Sequence, residues 1–207
     1  MADKNKSEIE KQMRVDNFML HQEYMLRQGY KANIGTISVI KANIYAFVTA
    51  GPFALLAAIL YLSRWGELKF EFSFTGYFLF ILLLIISIPI HEFLHGFTWH
   101  FCCKNKWKSI HFGIMRELLT PYCHCKEPLK YSSYLLGSLM PFFILGIGIT
   151  LLGTLFHNDI LFVIGIFNIL SAGGDTTIVC KSFPYHGGML LDHPTECGFV
   201  AFTKEGN

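Results

Sequence analysis

The chain has 207 residues, of which 52% are hydrophobic and 15% are charged, and its net charge is +2. A typical soluble domain has about 25% charged residues, so this composition argues against an ordinary soluble domain and excludes a disordered chain. The small net charge gives no indication of nucleic-acid binding. Six cysteines in a long apolar chain are not typical of a secreted disulfide framework.

Apolar residues are concentrated in four segments along the chain. A helix needs about 20 predominantly apolar residues to cross a bilayer. Residues 42–63, 72–90 and 131–156 contain 22, 19 and 26 residues without a charge, and residues 160–174 contain 15 before Asp175 interrupts the segment. We therefore predict an all-α integral membrane protein with four transmembrane helices and a surrounding lipid bilayer.

The predicted organisation has three parts. Residues 1–41 form a cytosolic N-terminal segment that is helical, residues 42–180 form the membrane domain, and residues 181–207 form a cytosolic tail. The four membrane helices are predicted at about 42–63, 72–101, 131–156 and 160–180. Between the second and third of these helices, Ile110, Phe112 and Ile114 alternate with polar or small residues, which predicts a short hairpin-like cytoplasmic loop.

The distribution of Lys and Arg predicts the orientation of these helices. The segment before the first helix has seven such residues, the loop between the second and third helices has six, and the link 157–159 has none. Positively charged loops remain on the cytoplasmic side. With four helices the two basic segments face the same side, so we expect both termini in the cytoplasm.

The end of the second apolar segment contains an H-E-x-x-H motif, which runs from His91 through Glu92 to His95. Residues four apart share one face of a helix, so the two imidazoles can bind one Zn²⁺ ion. The glutamate beside the first histidine can then act as the general base on a water molecule. Ionisable residues at the end of an apolar helix are functional candidates. The alternative is a helix end that meets water and headgroups.

Zinc requires a third protein ligand. His100 follows His91 by nine residues, which places it on the far side of the helix, so it is a poor candidate. Asp175 is a better one, because a carboxylate inside an apolar segment is expensive unless it is paired. The second and fourth helices run in the same direction, so His91 and Asp175 both fall in the cytoplasmic half of the membrane. We predict that His91, His95 and Asp175 are the metal ligands.

These two motifs give the chain a resemblance to a known family. From about residue 72 to residue 180 it resembles the bacterial DUF3267 membrane proteins, a family of zincin-type peptidases. These are similar in turn to site-2-type intramembrane metalloproteases. The resemblance implies the same zinc ligands, and it implies Glu92 as the catalytic residue of a zinc metallopeptidase in a bacterial cytoplasmic membrane.

The resemblance also implies a substrate-binding residue. Residues 167–175 are similar to the F-N-x-x-P…L-D-G stretch of site-2 proteases, although Ser171 replaces the proline and Gly174 replaces the leucine. Asn168 is then expected to position the substrate, which is a membrane protein or a peptide cut in or near a membrane segment. The alternative is that Asn168 makes a hydrogen bond between helices.

Two further groups of residues compete for a functional role. Cys102, Cys103, Cys123 and Cys125 flank the hairpin-like loop, but their spacing differs from the C-x-x-C of ordinary zinc sites, so reduced thiols are the favoured interpretation. His186, Asp192 and His193 match no known spacing and are interpreted as polar residues of the tail.

Three classes of function remain open from the sequence. The first is an intramembrane zinc peptidase. The second is a zinc-binding membrane protein without catalysis, such as a regulator or an inactive relative. The third is a membrane scaffold in which the motif is incidental. Zinc content separates the third class from the first two, and a Glu92→Gln variant separates the first from the second.

Overall fold

The computed structural model describes residues 2–69, 73–115 and 120–204. The described part of the chain is mostly helical, and it contains four helical segments that are long and apolar enough to cross a membrane. These segments are Val39–Trp65, Phe74–Cys102, Tyr131–Leu155 and Asp159–Tyr185. The number of membrane-length helices therefore agrees with the sequence prediction.

Helices and short strands are interspersed along the chain. The helices are α1 (Ala2–Arg27), α2 (Val39–Thr49), α3 (Gly51–Trp65), α4 (Phe74–Cys102), α5 (Tyr131–Pro141), α6 (Ile149–Leu155), α7 (Asp159–Ser171) and α8 (Gly173–Ser182). The strands are β1 (Lys31–Ile34), β2 (Ile110–Met115), β3 (Thr120–Cys125), β4 (Leu129–Lys130), β5 (Met189–Asp192) and β6 (Phe199–Thr203). A π-helical turn, Phe142–Gly148, joins α5 to α6.

Three of the four membrane-length segments contain a break in the regular helix. Pro52 lies in the first turn of α3, where its missing N–H is tolerated. Pro141 precedes the π-helical turn, as expected for a residue that cannot complete the helical hydrogen-bond pattern. The fourth segment breaks at Ala172, so α8 begins at Gly173 and Asp175 falls in its first turn. This last break sets the position of the carboxylate predicted to bind metal.

A small sheet component corrects the all-α prediction. Strands β1, β6, β5 and β4, in that order, form an antiparallel four-stranded sheet, and β2 pairs with β3 in a second sheet. The register places Lys31 opposite Thr203 and Ile34 opposite Val200. The pairing of β1 with β6 therefore joins the segment before the first membrane-length helix to the segment after the last one. The paired strands β2 and β3 occupy the region where the hairpin-like loop was predicted.

The four-stranded sheet is buried on both faces. Successive side chains of a strand point to opposite faces. On one face, Leu190 and Phe199 pack with Trp99 of α4 and Tyr134 of α5. On the other face, Leu191, Val200 and Phe202 pack with Phe18 and Met25 of α1. The sheet therefore connects α1 to the end of α4.

The outer faces of the membrane-length helices carry large apolar side chains that the protein does not cover. Phe47 of α2, Leu55 of α3 and Phe78 of α4 are 70%, 63% and 62% exposed. Contiguous apolar surface of this kind is rare on soluble monomers and is compatible with contact to lipid.

Candidate metal centre

The two histidines of the motif lie on the second half of α4. His91 and His95 are one turn apart, and their ring centroids are 4.9 Å from each other. His95 is buried, whereas His91 is partly exposed. The helical spacing thus places both imidazoles on one face, as the sequence predicts.

Asp175 of α8 meets both histidines. Its Oδ2 is 3.0 Å from Nε2 of His91, and its Oδ1 is 3.5 Å from Nε2 of His95. The three candidate ligand atoms all lie within 4.8 Å of one another. Within the part of the chain that the structure describes, no other set of three or more His, Cys, Asp or Glu side chains forms such a group.

The donor set of this group fits a zinc ion. Two imidazole nitrogens and one carboxylate oxygen are typical ligands of a catalytic zinc site, which leaves the remaining position for water or substrate. The Nδ1 atom of His95 donates a hydrogen bond of 2.8 Å to the carbonyl of Gly137. Because this bond fixes the proton on Nδ1, the Nε2 atom is left unprotonated and free to bind metal.

The ring of His95 is held in place by α5. Trp99 stacks on His95 with ring centroids 5.4 Å apart, and its Nε1 donates to the carbonyl of Tyr134 over 3.1 Å. A Cβ atom at Gly137 would lie 2.6 Å from Cε2 of Trp99. Because Gly137 has no side chain, α5 can approach α4 closely enough for its carbonyl to accept the hydrogen bond from His95.

Helix α2 holds the start of α8 in a similar way. A Cβ atom at Gly173 would lie 2.7 Å from Cα of Ala46, so the two helix backbones are in close contact. The hydroxyl of Thr49 donates to the carbonyl of Gly173 over 3.2 Å and lies 2.8 Å from Oγ1 of Thr176. These contacts fix the first turn of α8, which carries Asp175.

Glu92 lies beside the metal group on α4 and is partly buried. Strand β3 packs against α4, with Cys123 beside the cluster that contains Trp99. Strand β3 therefore forms a second wall of the site in addition to α5.

Two sequence candidates lie apart from the metal group. Asn168 is buried, and its amide donates to the carbonyl of Ile164 in its own helix over 2.8 Å. Its role in substrate binding stays a prediction. His100 donates through Nδ1 to the carbonyl of Phe97 and stacks on Trp107 with ring centroids 4.2 Å apart. These contacts agree with the argument that His100 is not a ligand.

The cysteines near the hairpin are free thiols and do not form a metal group among the described residues. The Sγ atoms of Cys103 and Cys125 are 3.4 Å apart, and both residues are buried. Cys102 is exposed. Burial raises the pKa of the Cys123 thiol well above its usual range, so this residue stays protonated.

Asp192 is a residue that the sequence interpretation missed. It ends β5 and is buried, instead of lying in a polar tail. Its Oδ2 accepts the N–H of Cys125 and its Oδ1 accepts the hydroxyl of Tyr134, each over 2.8 Å. Burial raises the pKa of Asp192 to about 6. His124, whose Nδ1 is 3.9 Å from Oδ2 of Asp192, has its pKa lowered to about 3, chiefly by burial.

The sequence did contain a signal for the two strands beside this residue, although not for its contacts. Residues 189–191 and 199–202 are short apolar runs on either side of a loop that contains Pro194. Such runs, bounded by turn residues, are typical of buried strands.

Comparison with known families agrees with the resemblance stated from the sequence. The family model DUF3267, described as "Putative zincin peptidase", matches residues 84–183. The matched segment contains the histidine motif and Asp175, whereas Thr49 and Asp192 lie outside it. No curated protein and no solved structure matches the chain. The predicted resemblance to this family is therefore confirmed over residues 84–183, and the similarity to site-2-type proteases stays a prediction.

Proposed function

We propose that the chain is a zinc-dependent metallopeptidase that hydrolyses a peptide bond in or near a membrane segment. The observation that carries the proposal is the convergence of His91, His95 and Asp175 from two membrane-length helices, with candidate ligand atoms within 4.8 Å. The description of the matching family supports the peptidase class.

The three side chains would hold zinc through Nε2 of each histidine and an oxygen of the aspartate. Bound zinc would supply Lewis-acid polarisation of the scissile carbonyl and would lower the pKa of water toward neutrality. One carboxylate and two neutral imidazoles reduce the charge of the ion from two to one, which lowers the cost of holding it among apolar helices.

Glu92 supplies the acid–base chemistry in this proposal. Its carboxylate takes the proton of the attacking water and then delivers that proton to the leaving amine nitrogen. Glu92 suits this role because it follows His91 directly and is not itself needed as a ligand.

The proposed substrate is a membrane protein or a peptide. A transmembrane helix satisfies its carbonyl groups with its own hydrogen bonds, so the substrate must unwind locally before attack. The Lys and Arg distribution supports both termini in the cytoplasm, and the resemblance to bacterial membrane proteins supports a bacterial cytoplasmic membrane. The net charge gives no reason to expect a nucleic-acid partner.

The test compares the wild-type chain with a Glu92→Gln variant, both purified in detergent and loaded with zinc. Cleavage of a panel of transmembrane peptides is followed by mass spectrometry. We expect the variant to keep its zinc and to lose turnover by at least about 100-fold, the typical contribution of a general base. Glu196→Gln, which changes an exposed carboxylate outside the membrane-length helices, serves as the matched control.

Two results would contradict parts of this proposal. Equal turnover by the Glu92→Gln variant would remove Glu92 from the mechanism. Zinc binding without cleavage of any peptide by the wild-type chain would favour the alternative function, a zinc-binding membrane protein that acts as a regulator or is an inactive relative.

A further inference from the structure

The buried carboxylate of Asp192 joins two elements that line the metal site. One oxygen accepts the hydroxyl of Tyr134 on α5, and the other accepts the backbone N–H of Cys125 on β3. Asp192 is 8% exposed and is contributed by β5, which follows the last membrane-length helix. A single side chain therefore sets the separation of α5 and β3.

A series of contacts through α5 connects Asp192 to His95. The ring of Tyr134 stacks against Trp99 with centroids 5.5 Å apart, and Trp99 stacks on His95. The carbonyl of Tyr134 also accepts the indole N–H of Trp99. One turn further along α5, the carbonyl of Gly137 accepts the Nδ1 proton of His95. Displacement of Tyr134 would therefore move both groups that orient this imidazole.

A second series of contacts, through β3, leads from Asp192 toward the helix that carries Glu92. Cys125 and Cys123 are two residues apart on β3, so they lie on the same side of the strand. The N–H of Cys125 donates to Asp192, and Cys123 packs against the cluster that contains Trp99 of α4, the helix that carries Glu92. The hydrogen bond to Asp192 therefore anchors the strand that packs against the helix of the general base.

Simple packing does not explain a carboxylate at this position. A buried carboxylate is expensive unless hydrogen bonds or a paired charge compensate its loss of hydration. The neighbouring residues of β5, Leu190 and Leu191, are apolar and fully buried. The side chain of Asp192 instead contacts two polar groups at once, one on α5 and one on β3.

We propose that Asp192 is a positioning residue, which orients the zinc ligand His95 through α5 and the general base Glu92 through β3. This inference rests on the proposed function, and it assigns a role in that function to the C-terminal strand, outside the segment matched by the family model.

The test uses the full-length chain in detergent with three variants. Asp192→Ala removes both acceptors. Asp192→Asn keeps an oxygen for the N–H of Cys125 and places an amide N–H₂ against the oxygen of Tyr134, so it is the conservative rescue. Tyr134→Phe removes only the bond to α5 and leaves the bond to β3.

Three quantities are measured for each variant: zinc affinity by competition with a chelator, the visible absorption spectrum of the Co²⁺-substituted chain, and peptide cleavage at saturating zinc. Loss of a side chain that orients a metal-binding histidine weakens metal binding by about 10- to 100-fold. We expect this loss and an altered Co²⁺ spectrum in Asp192→Ala and in Tyr134→Phe, but not in Asp192→Asn. Cleavage at saturating zinc should fall in Asp192→Ala and be largely retained in Tyr134→Phe.

Leu191→Ala is the matched structural control. Leu191 is buried beside Asp192 on the same strand but packs toward α1. We expect this variant to lower the thermal midpoint while it leaves zinc affinity and the Co²⁺ spectrum unchanged. Should Asp192→Ala fail to fold, Tyr134→Phe and Asp192→Asn still decide whether Asp192 orients His95 through α5.

The inference is overturned if Asp192→Ala or Tyr134→Phe has the zinc affinity and Co²⁺ spectrum of the wild type, or if Leu191→Ala changes them equally. A wild-type chain that binds neither Zn²⁺ nor Co²⁺ would instead overturn the proposed metal site itself. The two failures are therefore distinguished by the wild-type measurement.

Discussion

A methyl group added at Gly137 is expected to disturb the metal site without touching a ligand. The Cβ atom of an alanine there would lie 2.6 Å from Cε2 of Trp99, and closer still to its Nε1. Trp99 is buried, stacked on His95 and hydrogen-bonded to the carbonyl of Tyr134, so its ring has no free space to move into. Either Trp99 is displaced or α5 moves away from α4.

The expected magnitude follows from these contacts. Inserting a methyl group into a packed core costs about 1–3 kcal/mol. Loss of the hydrogen bond from Trp99 costs about 1 kcal/mol, and the better helix propensity of alanine returns about 1 kcal/mol. The net loss of stability is therefore about 1–3 kcal/mol. Because the carbonyl of Gly137 also orients His95, zinc affinity should fall by about 10- to 100-fold.

Gly174→Ala is the control for this prediction. Gly174 lies beside Asp175, but an added Cβ would meet no atom within 4 Å. This variant should keep the wild-type zinc affinity and gain up to about 1 kcal/mol of stability. Chelator competition and thermal unfolding in detergent measure both quantities. Wild-type zinc affinity and stability in Gly137→Ala would refute the packing argument.

Three further predictions concern other parts of the site. The His100→Gln variant should keep its zinc, as measured by inductively coupled plasma mass spectrometry. The ring of His100 is already hydrogen-bonded to the carbonyl of Phe97 and stacked on Trp107. Loss of zinc would make His100 a ligand. Gly173→Ala should lower the thermal midpoint and weaken zinc binding, because its Cβ would meet the backbone of α2 at 2.7 Å; an unchanged midpoint would contradict that contact. The pKa of His124 is lowered to about 3 by burial, so below pH 6.5 the unfolded chain binds a proton that the folded chain excludes, and stability is lost as the pH falls. The raised pKa of Asp192 has the opposite effect on stability, because the folded chain then binds a proton that the unfolded chain has released. The thermal midpoint of Asp192→Asn should therefore fall more steeply than that of the wild type between pH 6.5 and 4.5. Parallel curves would argue against these two pKa shifts.

The features that follow local rules were visible in the sequence. The placement of His91 and His95 on one face depends only on helical periodicity within five residues. Charge-free runs of membrane length predict helices because a helix satisfies all of its own backbone hydrogen bonds in lipid. Asp175 stood out because it interrupts such a run, and the structure brings it to the two histidines.

The features that depend on distant pairing were not visible. The sheet joins Lys31 to Thr203, and strands of four or five residues have a weak sequence signal. Asp192 looked like an ordinary polar residue, because its partners Tyr134 and Cys125 lie 58 and 67 residues away. The contact of Gly173 with α2 likewise joins segments more than 100 residues apart. Sequence periodicity contains no information on such contacts.

Zinc content of the chain purified in detergent tests the central claim most directly. It is measured for the wild type, Asp175→Ala and Glu92→Gln after incubation with zinc and removal of excess metal. A site formed by His91, His95 and Asp175 predicts one zinc ion per chain in the wild type and in Glu92→Gln, and none in Asp175→Ala. Zinc retained by Asp175→Ala, or absent from the wild type, would contradict the proposed metal centre.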